Sequence, residues 1–85
     1  MEESFNCACG KKIRSRRLTL GLTQSNLAES VGVTFQQIQK YEKGTNGVSA
    51  ERLGKIATAL KVNVLYFYNN YRPNFTVVEN DKSNS

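Results

Sequence analysis

Apolar residues recur along this chain at helical spacing, and the period-two alternation of a strand is almost absent. The first stripe is Cys9, Ile13 and Leu20, with Arg17 set between them on the same helical face. Gly21 follows where a helix end places its left-handed residue. Thr23 can cap a second helix with the narrow stripe Leu27, Ala28 and Val31, and Gly32 ends it after about two turns. The run Thr34-Phe35-Gln36-Gln37 fits a capping box, with a hydroxyl at the N-cap and an amide three residues on. It opens a third helix that turns Ile38 and Tyr41 inward and closes at Lys43-Gly44. After the loop TNGVS, Ser49 caps a fourth helix bearing Leu53, Ile56, Ala57 and Leu60 at helical spacing. Asn63 caps a short fifth, Val64 to Tyr68. Pro73 marks irregular chain beyond, where only Phe75 to Val78 has β character. The pattern predicts an all-α fold.

Composition narrows what such a fold can do. At 85 residues the chain is one small domain. Its formal charge of +5 and pI near 9.5 favour anionic partners such as nucleic acid. The excess lies before residue 63, because Arg72 and Lys82 balance Glu79 and Asp81 in the Asn- and Ser-rich end. With no His in the sequence, catalytic triads and His-ligated metals are out. Cys7 and Cys9 are too few for a Cys₄ zinc site or a secreted disulfide framework. Cys9 shares a stripe with Ile13 and reads as a small buried hydrophobe rather than a metal or redox ligand. The start MEESFNCACGKK has no apolar run, so no signal peptide is expected. No stretch approaches the roughly 20 apolar residues of a membrane span. A cytoplasmic protein without metal or cofactor is expected. No nucleophile–base pair or phosphate-binding glycine loop points to an enzyme.

The spacing of the second and third helices carries the most information. Ala28, Gly32, Val33 and Ile38 stand in the arrangement of a helix-turn-helix. Small Ala28 lets the helices approach, and Gly32 supplies the backbone of the turn. The outward face of the third helix carries Phe35, Gln36, Gln37, Gln39 and Lys40. A Gln amide gives and takes hydrogen bonds with adenine, and an apolar side chain suits a thymine methyl. Gln37 has two competing uses, closing the capping box on Thr34 or contacting DNA. Lys11, Lys12, Arg14 and Arg16 read first as a solvated face, with phosphate contact as the alternative.

Residues 9–68 resemble the phage-repressor and Cro type of helix-turn-helix, the XRE family. The residues that carry the resemblance are Ile13, Arg17, GLTQSNLAESVGVT (21–34), Ile38, YEKG (41–44), LGKIATALKV (53–62) and YFY (66–68). The resemblance implies a compact five-helix bundle, lambda-repressor-like, that binds double-stranded operator DNA as a homodimer. It places Phe35, Gln36 and Lys40 at base edges, joined by Gln37 if that amide is free. It places Gln24, Thr34, Lys43, Thr45 and Asn46 on the DNA backbone. Arg17 and Glu42 match a family ion pair, and both charges fall on otherwise apolar faces where a charge needs a partner. Val64, Tyr66 and Phe67 form a dimer contact, unless the aromatic group is spent on the core. Two positions depart from the pattern: Phe35 stands where relatives often carry a polar base reader, and Gly54 interrupts the fourth helix.

The expected organisation is a flexible N-terminus over 1–8, a DNA-binding domain over 9–69, and a tail over 70–85, either disordered or associated with a dimer. The expected function is sequence-specific transcriptional regulation at a palindromic operator. The alternative is an antitoxin or restriction-modification controller whose tail, Tyr71 to Val78, binds a partner protein.

Overall fold

The computed structural model describes residues 3–69 and Tyr71. Four α-helices follow one another: α1 (Phe5–Thr19), α2 (Gln24–Val31), α3 (Phe35–Lys43) and α4 (Ala50–Ala59). A 3-10 turn, Val64–Phe67, follows α4. The described residues contain no strand. The Phe75 to Val78 segment and the tail assigned to 70–85 lie outside the described residues, apart from Tyr71.

Side-chain caps set the starts of these helices, each worth about 1 kcal/mol. Thr23 accepts from the Asn26 amide N–H, and the Asn26 side chain accepts from Thr23 N–H, both at 2.9 Å. Ser49 accepts from Arg52 N–H at 3.1 Å and Asn63 from Leu65 N–H at 2.9 Å. At α3 only half of the expected box forms: Thr34 accepts from Gln37 N–H at 3.2 Å, and no reciprocal bond from the Gln37 side chain is seen. Gly21, Gly32 and Gly44 all take the left-handed conformation at helix ends.

Two expected boundaries are corrected. The flexible segment assigned to 1–8 gives way at Phe5, where α1 begins under a Ser4 cap that accepts from Cys7 N–H at 3.1 Å. The extra turn is held because Phe5 stacks on Tyr68 and meets Tyr71 edge-on. The fifth helix is a four-residue 3-10 turn, so the described residues form four α-helices. So short a piece cannot develop the bond ladder of an α-helix and winds more tightly.

The core is drawn from every element. Ile13, Leu27, Ile38, Ile56, Leu60 and Phe67 are wholly buried, and Cys9 lies among them. Burial pushes the Cys9 thiol up to about 11 against a weaker opposing pull from the Lys12 charge. Cys9 therefore stays neutral near pH 7 and packs as the hydrophobe its stripe indicates. Gly10 lets α1 lie directly on α3: a β-carbon there would stand 2.3 Å from the Tyr41 carbonyl oxygen. Among the described residues no helix is long and apolar enough to cross a membrane.

Lys61 takes a left-handed φ of 60° just past α4, a position that favours glycine. Lys61→Gly is expected to stabilise the chain by about 0.5–1 kcal/mol, since relieved strain is partly offset by a more flexible unfolded chain. An increase in the urea midpoint at unchanged slope is the check.

Candidate nucleic-acid interface

The turn between α2 and α3 is built by Ala28, whose carbonyl accepts from Gly32 N–H at 2.9 Å and Val33 N–H at 3.0 Å. Gly32 sits at φ 77°, and Ala28 is buried where the helices meet. Ile38, Tyr41 and Glu42 point inward from α3. Phe35, Gln36 and Lys40 are exposed, while Gln37 and Gln39 are half-buried. Among the described residues the side chains of Phe35, Gln36 and Lys40 take part in no hydrogen bond, ion pair or ring stack. Beyond Gly44 the backbone doubles back, with Thr45 N–H donating to the Lys40 carbonyl at 3.0 Å. This leaves Lys43, Thr45 and Asn46 exposed beside the C-terminal end of α3. Thr34 is exposed at its other end.

Behind this surface lies the ion pair. Arg17 Nε donates to Glu42 Oε2 at 2.6 Å, and Arg17 Nη2 donates to Glu42 Oε1 at 3.0 Å. Arg17 Nη1 donates to the Leu22 carbonyl at 2.8 Å. Both residues are buried, 6% and 7% exposed, so the bidentate geometry has to offset a large desolvation cost. Gln24 Nε2 also donates to Glu42 Oε1 at 3.0 Å. The start of α2 is thereby tied to α1 and α3 through one carboxylate. The helical stripes predict the Arg17–Glu42 pair, but nothing in the spacing of Gln24 points to this third member, which depends on how α2 packs on α3.

Other expected site residues are distributed differently. Lys12 Nζ donates to the carbonyls of Tyr66 and Asn69, and Arg16 Nε donates to the Leu60 carbonyl at 2.9 Å. Those two cations are turned to the protein rather than to solvent. Lys11 pairs with Glu3 at 2.6 Å, and this contact raises its pKa. Arg14 is exposed. Phe67 is 0% exposed and packs inside its own chain, so it cannot form the dimer contact expected of it. Val64 is exposed and Tyr66 half-buried. Leu65 at 62% and Tyr68 at 49% are the more exposed apolar groups of the segment, and neither was in the expected contact.

A short helix presented across a tight glycine turn, with free side chains outward and an inner face locked into the bundle, defines a helix-turn-helix DNA-binding domain. The helix-turn-helix family model HTH_3 matches residues 13–67, and the chain belongs to this family, the phage-repressor type of transcription regulators. It is 58% identical over 59 residues to a helix-turn-helix-type transcriptional regulator of Sinorhizobium medicae, covering 69% of this chain and 42% of that relative. The chain thus spans less than half the length of that relative. Its fold is similar to the clp gene regulator ClgR of Corynebacterium glutamicum, with a TM-score of 0.78, 31% identity, and coverage of 80% of this chain and 72% of that one. It is similar also to the P22 c2 repressor, solved with a synthetic operator, with a TM-score of 0.67, 30% identity, and coverage of 69% of this chain and 89% of that one.

Proposed function

We propose that the protein is a sequence-specific transcriptional regulator that binds a two-fold symmetric operator as a homodimer. The observation that carries this is the unpartnered outward row Phe35, Gln36 and Lys40 on a helix whose inner face is fixed. In the major groove, Gln36 pairs with a base edge, Phe35 covers a thymine methyl, and Lys40 reaches a guanine edge. Gln37, half-buried with its N–H spent on Thr34, is the lesser contact of the four. Thr34 at one end, and Lys43, Thr45 and Asn46 at the other, hold the phosphates. Gln24 meets a phosphate at the start of α2, where helix N–H groups favour an anion, once its amide leaves Glu42 or shares it. The similarity to a repressor solved on operator DNA supports this assignment.

One such domain reads only a short half-site, so two copies with their α3 helices about 34 Å apart make the functional unit. Val64 and Tyr66 keep their place in the contact, joined by exposed Leu65 and Tyr68. The segment 63–71 contains no charged residue, so two copies meet there without like-charge repulsion.

Selection of bound DNA from a random pool tests the assignment. Gln36→Ala is expected to relax preference at one base position, a loss of about 1–3 kcal/mol in discrimination. Lys43→Ala is expected to weaken all sequences alike and to lower the salt slope by about 1. An unchanged preferred sequence in Gln36→Ala refutes the register proposed for α3.

A further inference from the structure

The first turns of α1 and the 3-10 turn are bound together by two residues that precede the family match at 13–67. Lys12 Nζ donates to the Tyr66 carbonyl at 3.1 Å and to the Asn69 carbonyl, and it lies 5.7 Å from the centroid of the Tyr66 ring. Phe5 stacks on Tyr68 with ring centroids 4.8 Å apart and meets Tyr71 edge-on at 5.2 Å. A four-residue 3-10 turn has little stability of its own, and its closing carbonyls lack partners within the turn. The ammonium takes the Tyr66 carbonyl of the turn, the Asn69 carbonyl two residues past it, and the ring of Tyr66, while Phe5 packs on the rings that follow. Buried Phe67 and half-buried Tyr66 anchor the turn on the core from within, and Lys12 and Phe5 hold it from the α1 side. Lys12 and Phe5 therefore share in setting the direction in which Val64, Leu65 and Tyr68 project.

We infer that Lys12, with Phe5, is a positioning residue for self-association: it holds the 3-10 turn in the pose that presents Val64, Leu65 and Tyr68 to a second copy of this chain. The inference rests on the homodimer reading above. A second copy is the occupant because residues 63–71 carry no charge, so a strongly charged partner finds nothing there to pair with, whereas two identical apolar faces complement each other. Lys12 meets this segment through its carbonyls and the ring of Tyr66, not through Val64, Leu65 or Tyr68. Its effect on association is indirect and separable from the stability of the core.

Sedimentation equilibrium of the full chain tests this, with thermal unfolding measured alongside at concentrations where the chain is monomeric. Leu65→Asp is expected to be a monomer. Lys12→Met, which removes both carbonyl contacts, is expected to raise the dimer dissociation constant roughly tenfold or more, with the melting temperature falling by no more than a few degrees. Lys12→Arg, which keeps the charge and the donors, is expected to restore the wild-type value. A monomeric wild type, or a Leu65→Asp variant that dimerises normally, overturns the homodimer reading and this inference with it. A monomeric Leu65→Asp beside a Lys12→Met that dimerises like wild type overturns the positioning role and leaves the homodimer standing. If Lys12→Met fails to fold, Phe5→Leu replaces it, keeping apolar bulk while removing the ring stack. Weaker association of that variant supports the role, and wild-type association overturns it.

Discussion

Glu42→Ala is expected to destabilise the protein by about 3–5 kcal/mol, a large part of the 5–15 kcal/mol that holds a typical domain together. The substitution leaves the Arg17 guanidinium buried, with only the Leu22 carbonyl as acceptor. It also takes away the acceptor of Gln24. For a domain of this size each kcal/mol moves the melting temperature by about 4–8 °C, so a drop on the order of 20 °C is expected. The double variant Arg17→Met, Glu42→Leu removes both charges together and is expected to recover most of that loss, because an apolar pair of similar volume carries no desolvation cost. Thermal unfolding of the wild type, Arg17→Met, Glu42→Leu alone and the double variant forms the cycle that checks this, with Glu42→Ala measured beside it. If Glu42→Ala melts within a few degrees of wild type, the ion pair does not hold the three helices together.

Gly10→Ala is expected to be comparably damaging, by about 3 kcal/mol, although helix propensity alone favours Ala by about 1 kcal/mol. The added β-carbon would stand 2.3 Å from the Tyr41 oxygen and 2.6 Å from the Glu42 oxygen. Both are backbone atoms, so no rotamer change makes room, and α1 has to move off α3. Gly54→Ala in α4 is the control. Nothing lies within 4 Å of a β-carbon there, so propensity acts unopposed and the variant is expected to gain about 1 kcal/mol. Urea unfolding of the two variants, expected to shift in opposite directions, separates close helix contact from intrinsic propensity.

The two glycines also show what a sequence can and cannot disclose. Gly54 is conspicuous in the sequence because it interrupts an otherwise regular helix, and its cost is a local property. Gly10 is unremarkable there, since its role depends on where the backbone of Tyr41 and Glu42 passes, some thirty residues away in the chain. The same division runs through the rest of the molecule. The stripes of α1 to α4 are legible because each helix has one apolar face and a hydroxyl or glycine at its ends. Arg17 and Glu42 are legible because each is a charge on such a face. The first turn of α1 is not, because its hold comes from Phe5 meeting Tyr68 and Tyr71 at the far end of the described chain. Nor is the inward turn of Phe67. A 3-10 winding has three residues per turn, so it distributes Val64, Leu65, Tyr66 and Phe67 around the axis differently from the α-helix expected there. Of the candidate site, the outward row of α3 follows from the helical period, whereas the Gln24 bond to Glu42 needs the packed structure.

The two faces of α3 have a consequence for how new specificity can arise. Ile38, Tyr41 and Glu42 carry the structural load of the helix, and Phe35, Gln36 and Lys40 carry none that the fold depends on. Exposed substitutions of that kind usually change stability by no more than about 0.5 kcal/mol. The outward row is thus a replaceable alphabet mounted on a fixed frame. A lineage, or an engineer, can rewrite it one letter at a time without passing through an unfolded intermediate.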